Sequence, residues 1–143
     1  MEAPTRRAVL VAEDNAISRE ILLHQLEMLG CEAVGAEDGA TAVRAWRGGE
    51  FALLLTDLQM PGLDGYELAA LIRSEESAQR MPIVALTANV ADAEANRCVT
   101  VGMNDYLTKP ASLATLRRVV DRWIGSAATT ALVAHGPGSG GAT

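Results

Sequence analysis

Three short apolar runs constrain this chain more than any other feature: Ala8 to Ala12 (AVLVA), Phe51 to Leu55 (FALLL) and Ile83 to Leu86 (IVAL). None alternates apolar with polar residues as a strand with one wetted face would. Each is therefore read as a strand covered on both sides, the habit of parallel sheets. Two weaker runs, Ala33 to Ala36 and Tyr106 to Leu107, extend the series to five. Helix-length segments lie between them. Ile17, Ile21, Leu22, Leu26 and Leu29 trace one apolar helix face in three- and four-residue steps, and Gly30 ends that helix. Asp38, Asp64 and Ser112 stand where N-caps belong. The helices behind them carry Val43 and Trp46, then Leu68, Leu71 and Ile72, then Leu116, Val120 and Trp123. The stretch from Ala91 to Val101 reads as a small, polar helix. Five strand–helix alternations give an α/β domain with a parallel sheet, helices on both faces and right-handed crossovers.

At 143 residues, 49% of them hydrophobic and 21% charged, the chain has room for one compact domain and not for a second. Its longest apolar run falls far short of the roughly 20 residues that span a bilayer, and the N-terminus lacks a basic-then-apolar signal. A soluble, cytoplasmic protein is expected. A net charge of -6, with only two Trp, two Tyr and one Phe, excludes a nucleic-acid surface built from basic patches and stacking aromatics. Cys31 and Cys98 have no CxxC or Cys/His metal spacing and read as buried, reduced thiols. From Gly125 the sequence is GSAATTALVAHGPGSGGAT, uncharged apart from His135, as in a flexible linker or tail. The expected organisation is an N-terminal tail over 1–6, one domain over 7–124 and a second tail over 125–143. Too few residues follow Ile124 for a DNA-binding domain, and the uncharged tail favours a domain excised from a longer chain.

Polar residues that follow the strands carry the chemistry. Glu13 and Asp14 end the first strand, Asp57 follows FALLLT, Thr87 ends IVAL, and Lys109 with Pro110 follows YLT. In a parallel sheet all of them gather at one edge, where such folds bind ligands. Neighbouring carboxylates repel one another, and hard oxygen ligands suit Mg²⁺, which keeps waters and a phosphate oxygen in its shell. Lys109 is the single lysine among twelve cationic residues, and a compact ammonium fits one phosphoryl oxygen better than a guanidinium fork does. A carboxylate can attack phosphorus without the general base a serine needs, so Asp57 is the natural nucleophile and an aspartyl phosphate the product. Mg²⁺, Lys109 and the Thr87 hydroxyl would stabilise the transferring group electrostatically. Arg117, Arg118 and Arg122 are read as a solvated face and His24 as an exposed polar residue, and no Ser-His-Asp arrangement is credible.

Four ordered motifs, VLVAEDN, LLLTDLQMPGLDGYEL, PIVALTAN and GMNDYLTKP, resemble those of the response-regulator receiver domains of two-component signalling, over roughly Arg7 to Ile124. The resemblance implies a flavodoxin-like (βα)5 doubly wound sandwich, with a five-stranded parallel sheet in the order 2-1-3-4-5. It implies that Asp57 is the phospho-acceptor, and that Glu13, Asp14, Asp57 and the backbone carbonyl of Gln59 hold Mg²⁺ or Mn²⁺. Thr87, the backbone N–H of Ala88 and Lys109 would contact the phosphoryl group. Thr87 and Tyr106 would form a switch pair that reshapes the surface of the fourth helix, fifth strand and fifth helix, and Pro110 would follow Lys109 through a cis peptide. EDN followed by an arginine, LG closing the first helix and GMNDYLTKP are similar to receivers inside hybrid sensor histidine kinases. Ser18 departs from them where asparagine is common, and Glu13 replaces the commoner aspartate, its longer arm reaching Mg²⁺ through water.

The function so implied is phosphoryl transfer from a phosphohistidine to Asp57 and relay or signalling of that group, with a histidine kinase or histidine phosphotransfer domain as partner. Direct nucleic-acid contact and membrane contact by this chain are not expected, although a parent protein can be membrane-bound. The domain would not be an enzyme beyond its own phosphorylation and slow dephosphorylation. One rival is a stand-alone single-domain regulator. Another is a Mg²⁺-dependent phosphohydrolase of the haloacid-dehalogenase type, which needs a second Asp two residues after the nucleophile, where this chain has Gln59.

Overall fold

In the computed structural model, which describes residues 8–77, 80–88 and 92–125, the chain alternates strand and helix throughout. The elements are β1 (Ala8–Ala12), α1 (Ala16–Met28), β2 (Glu32–Ala36), α2 (Gly39–Gly48), β3 (Leu53–Asp57), α3 (Gly65–Glu75), β4 (Ile83–Thr87), α4 (Asp92–Thr100), β5 (Asp105–Thr108) and α5 (Leu113–Trp123). All five strands are parallel, in the order β2-β1-β3-β4-β5. The expected tails lie outside the described residues, apart from Gly125 at the start of the second.

Unalternating apolar strands become a two-sided core because successive side chains point to opposite faces. Leu10, Leu54 and Ile83 pack on one face with Val43 of α2 and with Leu68 and Ile72 of α3. Val9, Leu53 and Leu55 pack on the other with Leu22 and Leu26 of α1 and with Leu116 and Val120 of α5. β1, β3 and β4 are buried along their whole length. Each such Leu contributes about 1.5–3 kcal/mol through burial.

The helix ends follow the local chemistry. Asn15 Oδ1 accepts the Ser18 N–H at 2.9 Å, Asp38 Oδ1 the Thr41 N–H at 2.7 Å and Ser112 Oγ the Thr115 N–H at 3.1 Å. Asp64 and Glu67 form a reciprocal capping box at the start of α3. Gly30, at a φ of 85°, ends α1 with its N–H on Glu27 O while the Cys31 N–H reaches Leu26 O.

Two expectations change. The third strand is Leu53–Asp57 instead of Phe51 to Leu55, so Thr56 and Asp57 belong to the sheet and Phe51 packs, half-buried, at the margin of the core. The apolar face of α1 also divides. Leu22 and Leu26 are buried, whereas Ile17 is 72% and Ile21 54% exposed. The buried stripe is narrower than the apolar arc in the sequence, and these two isoleucines fall beyond it.

Candidate functional site

β1, β3, β4 and β5 finish together, because the register sets Ala12 beside Thr56, Asp57 beside Leu86 and Thr87 beside Thr108. The residues at those ends therefore meet although they are far apart in sequence. Glu13 follows β1 and is only 1% exposed. Its N–H donates to Ala36 O at 3.0 Å, its Oε2 accepts the Asn15 N–H at 3.1 Å, and its Oε1 accepts Lys109 Nζ at 3.1 Å. The same ammonium lies 3.2 Å from Asp57 Oδ2, while Asp57 Oδ1 accepts the Gln59 N–H at 3.3 Å. Asp14 is exposed at the rim. Carboxylate oxygens of Glu13, Asp14 and Asp57 all lie within 4.8 Å of one another.

Electrostatics follows from this crowding. Burial pushes the Glu13 carboxyl above its usual range and the Asp57 charge adds to the effect, while the Asn15 N–H and Lys109 offset part of it. Burial alone would lower the Lys109 ammonium, yet its hydrogen bond to Glu13 and the charges of Asp57 and Glu13 outweigh that and raise it. Three carboxyl groups gathered against a single ammonium suit a divalent cation. The three side chains offer only hard carboxylate oxygens, so they fit Mg²⁺.

The remaining expected residues lie on β4 and β5 or directly after them. Thr87 closes β4 and is buried, and its carbonyl accepts the Lys109 N–H at 2.7 Å, tying β5's exit to β4. Ala88 follows it, exposed. The Lys109–Pro110 peptide is cis. Tyr106 is 44% exposed on β5 and stands outside the core. His24 is exposed on α1, and Arg117, Arg118 and Arg122 are exposed on α5.

Two residues of the quoted motifs make contacts that the sequence did not reveal. Gly65, the first residue of α3, lies so close to β3 that a Cβ there would sit 2.2 Å from Asp57 O and 2.9 Å from Leu58 Cα. A glycine directly after the Asp64 cap, where most residues would serve, was the available signal. Arg19, one turn into α1, donates from a terminal guanidinium nitrogen to Glu13 O at 2.8 Å, and helical spacing gave no hint of that contact.

Comparison with known proteins bears on the family and the fold. The family model for the response regulator receiver domain matches residues 9–121. Sensor protein GacS of Pseudomonas syringae pv. syringae is 41% identical over 122 residues, which are 83% of this chain and 14% of that protein. This chain thus spans a small part of that relative. Among solved structures, the receiver domain of sensor histidine kinase PA1611 from Pseudomonas aeruginosa PAO1, with a magnesium ion coordinated in its active-site cleft, superposes with a TM-score of 0.77 at 38% identity. That match covers 85% of this chain and 100% of the other. The receiver domain of Ssk1 from Saccharomyces cerevisiae, solved with the histidine phosphotransfer protein Ypd1, gives 0.75 at 35% identity over 82% of this chain and 88% of that one.

Proposed function

We propose, from the premise that the chain belongs to the response regulator receiver domain family, that it takes a phosphoryl group from a phosphohistidine onto Asp57 and passes it on or signals with it. One observation carries this reading. A buried aspartate at the end of the central strand touches the only lysine of the chain and shares its site with two further carboxylates.

In the proposed step an Asp57 oxygen attacks phosphorus in line. The P–N bond breaks with its electron pair staying on an imidazole protonated at its other nitrogen, so neutral imidazole leaves and an acyl phosphate remains. Lys109 Nζ, already 3.2 Å from Asp57 Oδ2, neutralises the incoming phosphoryl oxygens. The Thr87 hydroxyl and the Ala88 N–H supply further donors from the end of β4. Glu13, Asp14, Asp57 and the Gln59 carbonyl would hold Mg²⁺, which when bound supplies charge neutralisation to the same oxygens. Where the haloacid-dehalogenase pattern needs an acid, position 59 holds an exposed glutamine. The acyl phosphate therefore persists, and the domain turns over slowly.

The partner is a histidine kinase or histidine phosphotransfer domain, and residues 7–124 are the receiver of a hybrid sensor kinase acting on the cytoplasmic side. Ile17 and Ile21 give α1 an exposed apolar edge, and a pocket lined by Ile21, Leu22, Leu86, Lys109, Pro110 and Ala111 joins that edge to the site. A helical partner laid on α1 would bring its histidine to Asp57. That the Ssk1 receiver was solved with a phosphotransfer protein supports the assignment. The reading is tested by intact mass after incubation with Mg²⁺ and acetyl phosphate. Wild type is expected to gain one phosphoryl group and Asp57→Asn none; equal gain by both overturns the assignment.

A further inference from the structure

We propose that Arg19 is a positioning residue for the cation site, fixing the backbone of the β1–α1 loop so that Asp14 faces Glu13 and Asp57. The proposal rests on the reading of those carboxylates as a divalent-cation site. The loop is three residues long, and most of its polar groups are committed locally. The Glu13 N–H is on Ala36 O, the Asn15 N–H on Glu13 Oε2, and Asn15 accepts from Ser18 and from the Arg19 N–H. The carbonyl of Glu13, which belongs to the peptide leading into Asp14, is held by the Arg19 guanidinium at 2.8 Å. Among the described residues no hydrogen bond holds the Asp14 carboxylate, so its place is set through its backbone. A charge-assisted bond to a carbonyl one peptide away is the means available.

Gly35 on β2 supplies a second, independent observation. A Cβ there would lie 3.1 Å from Arg19 Cδ, 3.3 Å from its Cγ and 3.1 Å from Leu23 Cδ1. The Gly35 backbone is not in the left-handed region, so a strand-forming residue would otherwise be favoured at this position. Glycine leaves the lane along which the Arg19 stem runs from α1 to the loop.

The sign of the effect separates positioning from simple charge. Removing a cation beside an acidic site should by itself tighten divalent-cation binding. Loss of positioning should weaken it. Mn²⁺ binding to the metal-free full chain, followed by the loss of its electron paramagnetic resonance signal, is expected to be about tenfold weaker in Arg19→Met, at the mild end of what outer partners of a metal site contribute. Arg19→Lys should recover part of the affinity. Gly35→Val, which keeps the arginine but blocks its lane and favours the strand, should also bind more weakly. In the metal-free state the Asn15 amide should exchange faster in Arg19→Met. Affinity in Arg19→Met equal to or above that of wild type overturns the proposal, as does an unaffected Gly35→Val if the methionine variant fails to fold. A wild type that binds no Mn²⁺ overturns the underlying site reading instead.

Discussion

Lys109 sits between two carboxylates that would otherwise face each other, and one of them, Glu13, has almost no contact with solvent. Lys109→Ala should lower thermal stability by roughly 2 kcal/mol, below the full loss of a buried pair because the ammonium is partly exposed. It should also uncouple phosphorylation from the conformational response, since no cation would then draw β5 toward the phosphoryl group. Stability unchanged in differential scanning calorimetry would contradict the contact. Glu13 gives a prediction in pH. Its folded pKa lies above the 4.5 of a free glutamate, so its contribution to stability is fully present below pH 4.5 and is lost as pH rises through the folded value. In metal-free protein, wild type should therefore lose stability relative to Glu13→Gln as pH climbs from 4.5 toward neutrality. Parallel denaturant-derived curves for the two proteins would count against it. At this scale the acidic pair, Asp57 and Lys109 were legible because their residue types follow apolar runs. Arg19 was not, because a guanidinium reaching a backbone carbonyl leaves no periodic trace.

At the scale of elements, α3 is held hard against β3 by Gly65. Gly65→Ala would drive a methyl into the Asp57 carbonyl and the Leu58 backbone, neither of which can turn aside as a side-chain tip can. The expected cost is roughly 2 kcal/mol together with a displaced Asp57 and slower phosphorylation by acetyl phosphate. A variant as stable and as reactive as wild type would show that α3 has slack against the strand. The outer edge of α1 is a different case. Replacing Ile17 and Ile21 by serine should change stability by no more than about 0.5 kcal/mol, since both are exposed. It should leave acetyl-phosphate labelling intact and slow transfer from a phosphohistidine protein about tenfold, or about 1.4 kcal/mol. Unchanged transfer would place docking elsewhere. Strands were readable here because burial on both faces leaves unbroken apolar runs, although FALLL marked β3 two residues early: its first residue is apolar for packing outside the sheet. The α1 face was misread because three- and four-residue steps describe an apolar arc without saying which part meets the core.

For the whole molecule, the decisive fact is topological. Residues 13, 57, 87 and 109 share one edge because every strand is parallel and the order places β1, β3 and β4 in sequence, with β5 beyond. The shared edge followed from strand–helix alternation and the strand order from the motif resemblance, whereas the close approach of Lys109 to both Glu13 and Asp57 depends on the latch between its N–H and Thr87. The central claim is that the phosphoryl group resides on Asp57 as an acyl phosphate. Its most direct test is borohydride reduction of the phosphorylated chain followed by peptide mapping, which turns a phosphorylated aspartate into homoserine. Homoserine at position 57 alone is the expected result; homoserine at another carboxylate, or phosphate that resists reduction, would contradict it.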